Sequence, residues 1–184
     1  MRINLVAILL LAFWLMVCVG CGDDEMEIDY SGYDCIQNNP DFNPEPIPAP
    51  EGTHQLIFRP NKTVSPIGTG TAGGLEIVNG RNRVFHYRYR LQSNDTIVRE
   101  LFFEIAPGID QFTVSSTSLQ DINTYLSLRC NCEESLEGVY SIEAGCIKGE
   151  RLDANNWQID INVNTTQAGQ YVQLMASAVF KKQQ

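Results

Sequence analysis

The chain after Thr53 predicts an all-β domain, an antiparallel β-sandwich, with a closed β-barrel as the alternative architecture. Three features of the sequence predict this class. Apolar and polar residues alternate in short runs, clusters of Gly, Asn, Asp and Ser separate the runs, and no 3.6-residue periodicity extends over a helical length. Alternation is typical of strands with one buried face, and both architectures limit the exposed sheet edges.

The alternating runs predict strands, and two hairpins among them can be assigned a register. A loop at 93–95 places Phe85 opposite Phe103, which keeps the apolar side chains of both strands on one face. Near the carboxyl end, pairing Val163 with Val172 sets large apolar residues against small ones. The predicted strands are 54–59, 75–79, 83–91, 96–105, 111–116, 122–130, 138–143, 146–152, 157–164 and 171–180.

The amino terminus has the layout of an exported protein. It begins with one cationic residue, Arg2, followed by an almost unbroken apolar run that ends at Gly20, next to Cys21. A short cationic region, an apolar helix and a small residue at the cleavage site are typical of a secretory signal peptide. Residues 3–20 also approach the roughly 20 residues that a bilayer span needs, so an uncleaved membrane anchor is the alternative.

The residues around Cys21 resemble the lipobox of bacterial lipoproteins. Val19, Gly20 and Cys21 fit the family pattern of a small or aliphatic residue, Gly or Ala, and the invariant cysteine, whereas Cys18 stands where the family usually has Leu. The resemblance implies that residues 1–20 are removed and that Cys21 is diacylated as the new amino terminus. Acyl chains contribute about 0.8 kcal/mol per buried methylene, so this anchor would hold the protein on a membrane.

An acidic segment follows this cysteine. Asp23, Asp24 and Glu25 resemble the tag by which some Gram-negative lineages send lipoproteins to the outer face of the outer membrane. The resemblance therefore implies a lipid-anchored protein of the outer membrane that is exposed on the cell surface, with the periplasmic face as the alternative. The membrane, through the acyl anchor, is the first expected partner.

Residues 21–53 are predicted to form an acidic, proline-rich tether before the β-domain at 54–184. Prolines at positions 40, 44, 46, 48 and 50 exclude helix and central strand. Such spacing favours an extended, polyproline-like segment of roughly 3 Å per residue. The tether would hold the domain away from the membrane.

Four cysteines remain once Cys21 is assigned to lipid and Cys18 to the signal peptide. An even number in an exported protein predicts disulfides, and two cysteines separated by one residue do not bridge each other comfortably. The favoured pairing is Cys35 with Cys130 and Cys132 with Cys146. A zinc site of the same thiols is the alternative, but structural zinc usually needs Cys-x₂₋₄-Cys spacing, so no metal is expected.

The segment 81–90 is dense in arginine and aromatic residues although the chain as a whole is acidic. Strand alternation places His86, Arg88 and Arg90 on one face, which makes them candidates for contact with anionic sugars or with acidic groups of a partner. The alternative is a solvated strand face on which Arg88 pairs with Glu100.

Catalytic motifs are scarce. The only histidines, His54 and His86, stand in no ordered catalytic motif, and the Gly-x-Gly-x-x-Gly match at 68–73 lacks the strand and helix that a dinucleotide site requires. Carboxylate pairs could serve a glycosidase only at separations that sequence does not give. These pairs are Glu133 with Glu134 and Asp153 with Asp160.

The formal charge is −9, which disfavours binding to nucleic acid. The sequence therefore predicts a lipid-anchored, non-catalytic binding domain for a glycan or another envelope protein, with no cofactor. The alternatives are a structural or assembly component of the envelope and a hydrolase with an unrecognised carboxylate site. Asn-x-Thr tripeptides at Asn61, Asn94 and Asn164 also fit a secreted eukaryotic protein.

Overall fold

The computed structural model of the chain describes residues 52–67, 73–91, 97–115, 118–130, 137–167 and 170–184. The predicted signal peptide at 1–20, almost all of the tether at 21–53 and the connections at 68–72, 92–96 and 131–136 lie outside these residues. Several residues with predicted roles therefore also lie outside them. They are Cys21, Asp23, Asp24, Glu25, Cys35, Cys132, Glu133 and Glu134.

The described residues form nine strands and one short helix, which confirms the predicted all-β class. No helix among them has the length and apolarity needed to cross a membrane. The strands are β1 (Gly52–Ile67), β2 (Gly74–Leu91), β3 (Ile97–Ile105), β4 (Gln111–Ser115), β5 (Tyr125–Cys130), β6 (Gly138–Ser141), β7 (Ala144–Arg151), β8 (Asn156–Gln167) and β9 (Gln170–Lys182), and helix α1 (Ser118–Asp121) lies between β4 and β5.

The strands form one sheet in the order β4-β7-β8-β9-β1-β2-β3-β5-β6. Every neighbouring pair is antiparallel except β1 and β9, which run parallel and pair at Ile57–Lys181 and Phe58–Lys182. The halves on either side of this junction face each other like the layers of a sandwich, and within the described residues the end strands β4 and β6 do not pair. The predicted sandwich is confirmed rather than the barrel, and the short parallel junction is an addition to the antiparallel prediction.

Aromatic rings from both layers meet in the core. Phe85 of β2 stacks on Phe103 of β3 with 4.9 Å between ring centroids. From the other layer, Trp157 of β8 and Phe180 of β9 approach Phe85 edge-on at 5.4 and 5.9 Å. All four rings are buried, and such offset and edge-to-face contacts add to the free energy gained by burying apolar area.

The predicted register of the β2–β3 hairpin is confirmed. Phe85 lies opposite Phe103, and Arg88 lies opposite Glu100. The alternation was decisive here because a shift by one residue would move every apolar side chain of one strand to the wrong face.

The predicted register of the β8–β9 hairpin is wrong by two residues. Val163 pairs with Leu174 instead of Val172, and pairing continues to Gln167 and Gln170, so a two-residue connection closes the hairpin. A shift by two preserves which side chains face the core, and alternation therefore could not detect it. Two-residue loops are the commonest hairpin connections, which favours the observed register, in which pairing extends to Gln167 and Gln170.

The segments predicted as separate strands at 75–79 and 83–91 form the single strand β2, which contains a bulge. Lys62 of β1 pairs with both Asn79 and Asn82, so the two residues between them have no partner in the ladder. Gly80 fits this bulge because a Cβ atom there would lie 2.7 Å from the Cβ of Thr63. Bulges bend strands, and β1 and β2 continue beyond this one as a bent hairpin.

We call this bent hairpin, residues 63–67 and 74–79, the arm. Its side chains Val64, Leu75 and Ile77 pack against Phe102 of β3 and form an apolar cluster separate from the sandwich core. Phe102 points away from the core, because it alternates with the core residue Phe103 along β3. The arm therefore covers part of the outer face of the β1-β2-β3-β5-β6 layer.

A buried carboxylate fastens the arm to this face. Glu104 of β3 is 2% exposed, and its Oε1 accepts hydrogen bonds from Thr63 Oγ1 at 2.7 Å and from the Val64 backbone N–H at 2.6 Å. Its Oε2 accepts a bond from Asn82 Nδ2 at 2.6 Å. Hydrogen bonding of this kind is what a buried polar group requires.

The strand predicted at 122–130 begins only at Tyr125. The preceding residues form α1 and a turn in which Asn123 adopts a φ of 48° and its N–H donates to the carbonyl of Gln120 at 3.1 Å. Asparagine tolerates this left-handed conformation and commonly ends a helix. Leu119 and Ile122 are buried and close one end of the core.

Candidate ligand-binding face

Two adjacent rows of cross-strand neighbours carry the candidate site on the outer face of β1, β2, β3 and β5. One row is Gln55, Arg88, Glu100 and Ser127, and the next is Thr53, Arg90, Val98 and Arg129. The rows bring Arg88 and Arg90, both predicted from sequence, close to Arg129. Arg129 was not among the residues predicted from sequence, because no hairpin pattern indicates that β5 pairs with β3.

Glu100 lies at the centre of these rows and is only 7% exposed. His86 Nε2 lies 3.1 Å from its Oε1, and Arg129 Nη2 donates to its Oε2. Arg88 Nε lies 3.7 Å from Oε1, so the predicted pairing of Arg88 with Glu100 is present but is the longest of the three contacts. The carboxylate of Glu100 therefore contacts three side chains that are cationic or donate hydrogen bonds.

These partners keep Glu100 ionised. Burial by itself would raise the pKa of this carboxyl, but hydrogen bonds from His86 and Arg129, together with their charges, lower the pKa from 4.5 to about 2. At neutral pH the group is therefore a carboxylate that can only accept, and Nε2 of His86 carries the proton of their hydrogen bond.

Strand alternation predicts that His86 is exposed together with Arg88 and Arg90. In the structure it is buried, with only 7% of its surface accessible. Its ring stacks on Phe102 with 4.2 Å between centroids and an interplanar angle of 16°. The arm covers Phe102 and thereby covers His86 as well. Nδ1 of His86 is buried without a hydrogen-bond partner among the described residues.

A cavity of about 580 Å³ lies between the arm and the outer face. Its volume falls in the range of about 300–1,000 Å³ that is usual for small-ligand sites. Both apolar and polar groups line it: Leu75, Ile77, Phe102, Glu100, Ser127 and Arg129 are among them.

A smaller depression of about 180 Å³ lies beside this cavity. Thr53 and Gln55 of β1 and Arg88 and Arg90 of β2 contribute to its lining. Arg90 is exposed and forms no ion pair with any described residue. The depression therefore offers guanidinium, hydroxyl and amide donors in one place.

Charge is unevenly distributed around the two cavities. Within the part of the chain that the structure describes, Arg88, Arg90 and Arg129 outnumber the carboxylate of Glu100 at one end, although the whole chain carries −9. Glu76 and Glu137 line the other part of the larger cavity. The site is thus cationic at the depression and acidic at the far wall.

The comparisons with known proteins give no relative. The chain matches no protein-family model, no curated protein and no solved structure.

The second histidine, His54, lies on the core side of the layer that contains β1 and β2. His54 stacks on Tyr89 at 4.8 Å between ring centroids, and its Nδ1 lies 3.2 Å from the hydroxyl of Tyr87. Burial lowers the pKa of His54, and burial with the neighbouring Tyr89 raises the pKa of Tyr87 to about 12. Both groups are thus neutral near pH 7, and the cluster packs one end of the sandwich.

Of the carboxylate pairs considered for a glycosidase, Asp153 and Asp160 each bond to their own neighbours and not to each other. Asp153 lies in the β7–β8 turn, where its oxygens accept hydrogen bonds from the Asn155 N–H and from Asn156 Nδ2. Asp160 lies on β8 and accepts a hydrogen bond from Ser177 Oγ at 2.6 Å. The pair Glu133 and Glu134 lies outside the described residues.

Cys146 is buried on β7 and is a disulfide-bonded cysteine. Its partner is not among the described side chains, and those of Cys35, Cys130 and Cys132 also lie outside them. The pairing of Cys35 with Cys130 and of Cys132 with Cys146 therefore stays a prediction. Among the described residues, no group of three or more His, Cys, Asp and Glu side chains could hold a metal ion.

Proposed function

We propose that the protein is a lipid-anchored lipoprotein of the outer membrane, exposed on the cell surface, whose β-domain binds a glycan without transforming it. The lipobox-like residues ending at Cys21 and the acidic residues after it support the anchor and its location. The outer-face cavity supports the binding function. A protein partner from the envelope is the alternative ligand.

The observation that carries the proposal is the cavity together with the buried ionic cluster beside it. Removing Glu100 from water costs free energy, which its partners recover only through well-placed hydrogen bonds. The sandwich core lies on the opposite face and does not include this cluster. Perturbed ionisable groups at a cavity are typical of functional sites.

The other functions considered from sequence receive less support. Assembly by strand addition needs an open edge, and the described end strands β4 and β6 offer only five and four residues each. The longer open edge is that of β9, which pairs with β1 at two residues only, and no described residue of β9 lines the two cavities of the outer face. A hydrolase of the glycosidase type needs a carboxylic acid that donates a proton, whereas Glu100 has a pKa of about 2.

A glycan array probed with the full chain in detergent tests the proposal. We expect binding to a limited set of glycans and loss of that binding in Ser127→Trp, whose indole would occupy the cavity. The matched control is Thr113→Trp on β4 of the other layer, which should bind as the wild type does. Uniformly absent binding at high protein concentration, or equal binding by both variants, would contradict a glycan site in this cavity.

A further inference from the structure

We infer that the ligand of this site is an acidic saccharide whose carboxylate or sulfate group binds between Arg88, Arg90 and Arg129, while its uncharged part occupies the larger cavity. The inference rests on the proposed function and names the chemistry of its ligand.

The three arginines belong to neighbouring positions of the outer face, where Arg88 and Arg90 line the depression and Arg129 lines the larger cavity. Arg90 and Arg129 belong to the same cross-strand row and flank Val98, so their backbones are two strand spacings, or about 10 Å, apart. Arg88 lies in the next row. Long arginine side chains on opposite sides of a gap of this width can both reach one acidic group, and guanidinium binds carboxylate and sulfate oxygens with paired N–H donors.

Glu100 acts as a positioning residue in this arrangement. It is buried and ionised. Its Oε2 contacts Arg129 and its Oε1 contacts Arg88, which orients both guanidinium groups. Arg129 remains 59% exposed and Arg88 37% exposed, so each keeps donors for a ligand. Among the described residues, one buried carboxylate stands against three guanidinium groups, so this part of the face carries net positive charge.

The depression beside Arg88 and Arg90 has room for a single acidic group. Its volume is about 180 Å³, and Thr53 and Gln55 add a hydroxyl and an amide to its lining. Neutral donors next to guanidinium groups complete the hydrogen bonding of an anion with several oxygens.

The larger cavity favours a saccharide over an acidic peptide as the rest of the ligand. Glu76 and Glu137 would repel a second acidic group but accept hydrogen bonds from sugar hydroxyls. Leu75 and Phe102 provide apolar surface for the C–H groups of a sugar ring.

The test uses full-length protein in detergent on an array of matched pairs, each an acidic glycan and its neutral counterpart. In one set a uronate replaces the neutral hexose, in a second an O-sulfate replaces a hydroxyl, and an acidic peptide is printed beside them. We expect binding to acidic members only, weakened by added NaCl because part of the attraction is screened. Whether the uronate or the sulfate set responds identifies the acidic group.

Arginine variants locate the contact. Arg90→Gln should weaken binding at least about tenfold, the loss expected for one charge-assisted hydrogen bond. Arg90 is exposed and unpaired among the described residues, so the variant should fold normally, which a thermal unfolding curve checks. Arg81→Gln, also on an exposed position of β2, is the matched control and should bind like the wild type.

Each contrary result has a distinct meaning. Equal binding of acidic and neutral members overturns the acidic-ligand inference but leaves the glycan-binding proposal standing. No binding to any saccharide overturns both. Preference for the acidic peptide, or equal loss in Arg81→Gln and Arg90→Gln, also overturns the inference, because the charge would then not be recognised by this site.

Discussion

Glu100 is the residue that links burial, charge and the candidate site. Its carboxylate is shielded from water, yet it remains ionised because His86 and Arg129 bond to its two oxygens. A buried pair of this kind contributes little net stability compared with apolar packing, but removing one member is costly. The presence of such a group outside the core is therefore better explained by the arginines it positions than by stability.

The low pKa of Glu100 predicts an acid-dependent loss of stability. A carboxyl whose pKa falls from 4.5 to about 2 on folding stabilises the folded state above pH 4.5, and this contribution disappears as the pH falls to about 2. Its size at neutral pH is at most about 3 kcal/mol, less where solvent screens Arg129. The free energy of unfolding, measured with denaturant, should therefore be lower for Glu100→Gln than for the wild type at pH 7. This difference should shrink between pH 4.5 and 2.

The control is Glu76→Gln, which changes an exposed carboxylate of the same cavity. Its free energy of unfolding should differ little from that of the wild type across this range. A difference between wild type and Glu100→Gln that stays constant with pH would show that the Glu100 carboxylate is not stabilised as described.

At the scale of elements, the bulge at Gly80 sets the direction of the arm. A Cβ atom at this position would lie 2.7 Å from Thr63 Cβ and 2.9 Å from the Lys62 carbonyl carbon, closer than packed atoms approach. Gly80→Ala should therefore displace the arm and lower the free energy of unfolding by about 1–3 kcal/mol. The amide of Val64, which donates to Glu104, should also exchange with deuterium faster.

Gly74→Ala is the matched substitution in the same strand, since no atom lies within 4 Å of a Cβ at Gly74. It should leave both stability and exchange of the Val64 amide near wild-type values. Equal effects of the two substitutions would contradict a steric requirement at the bulge.

Sequence alternation predicted a strand register correctly where only one pairing keeps the apolar side chains of both strands on the same face. It fixed the β2–β3 register because a one-residue shift would misplace Phe85 and Phe103, and it placed Arg88 and Arg90 on one face. It could not distinguish registers two residues apart in β8–β9, nor pair β5 with β3, so it missed Arg129. The arm was also missed, since folding over Phe102 is a tertiary event that hides His86 from solvent.

For the whole molecule, the proposed lipid anchor is most open to a direct test. If Cys21 is acylated, the wild-type protein expressed in a Gram-negative host should incorporate a labelled fatty acid, and Cys21→Ser should not. Label is expected because the lipobox-like cysteine supplies the thiol that carries the diacyl group.

Cys18→Ser provides the control, because it changes a neighbouring cysteine without removing the proposed attachment point. This variant should be labelled like the wild type. Absence of label from the wild type would contradict lipidation and would favour the uncleaved membrane anchor.

The parallel junction between β1 and β9 has a consequence for how the domain reaches its folded state. β1 is the first described strand and β9 the last, and they meet through only two residue pairs and a hydrogen bond from the Gln183 N–H to the Phe58 carbonyl. Contacts between such distant parts of a chain form slowly, because a long loop must close before they stabilise anything. The carboxyl-terminal strand must therefore be synthesised before this junction can form, so the amino-terminal strand β1 waits for almost the whole domain before it gains its second neighbour.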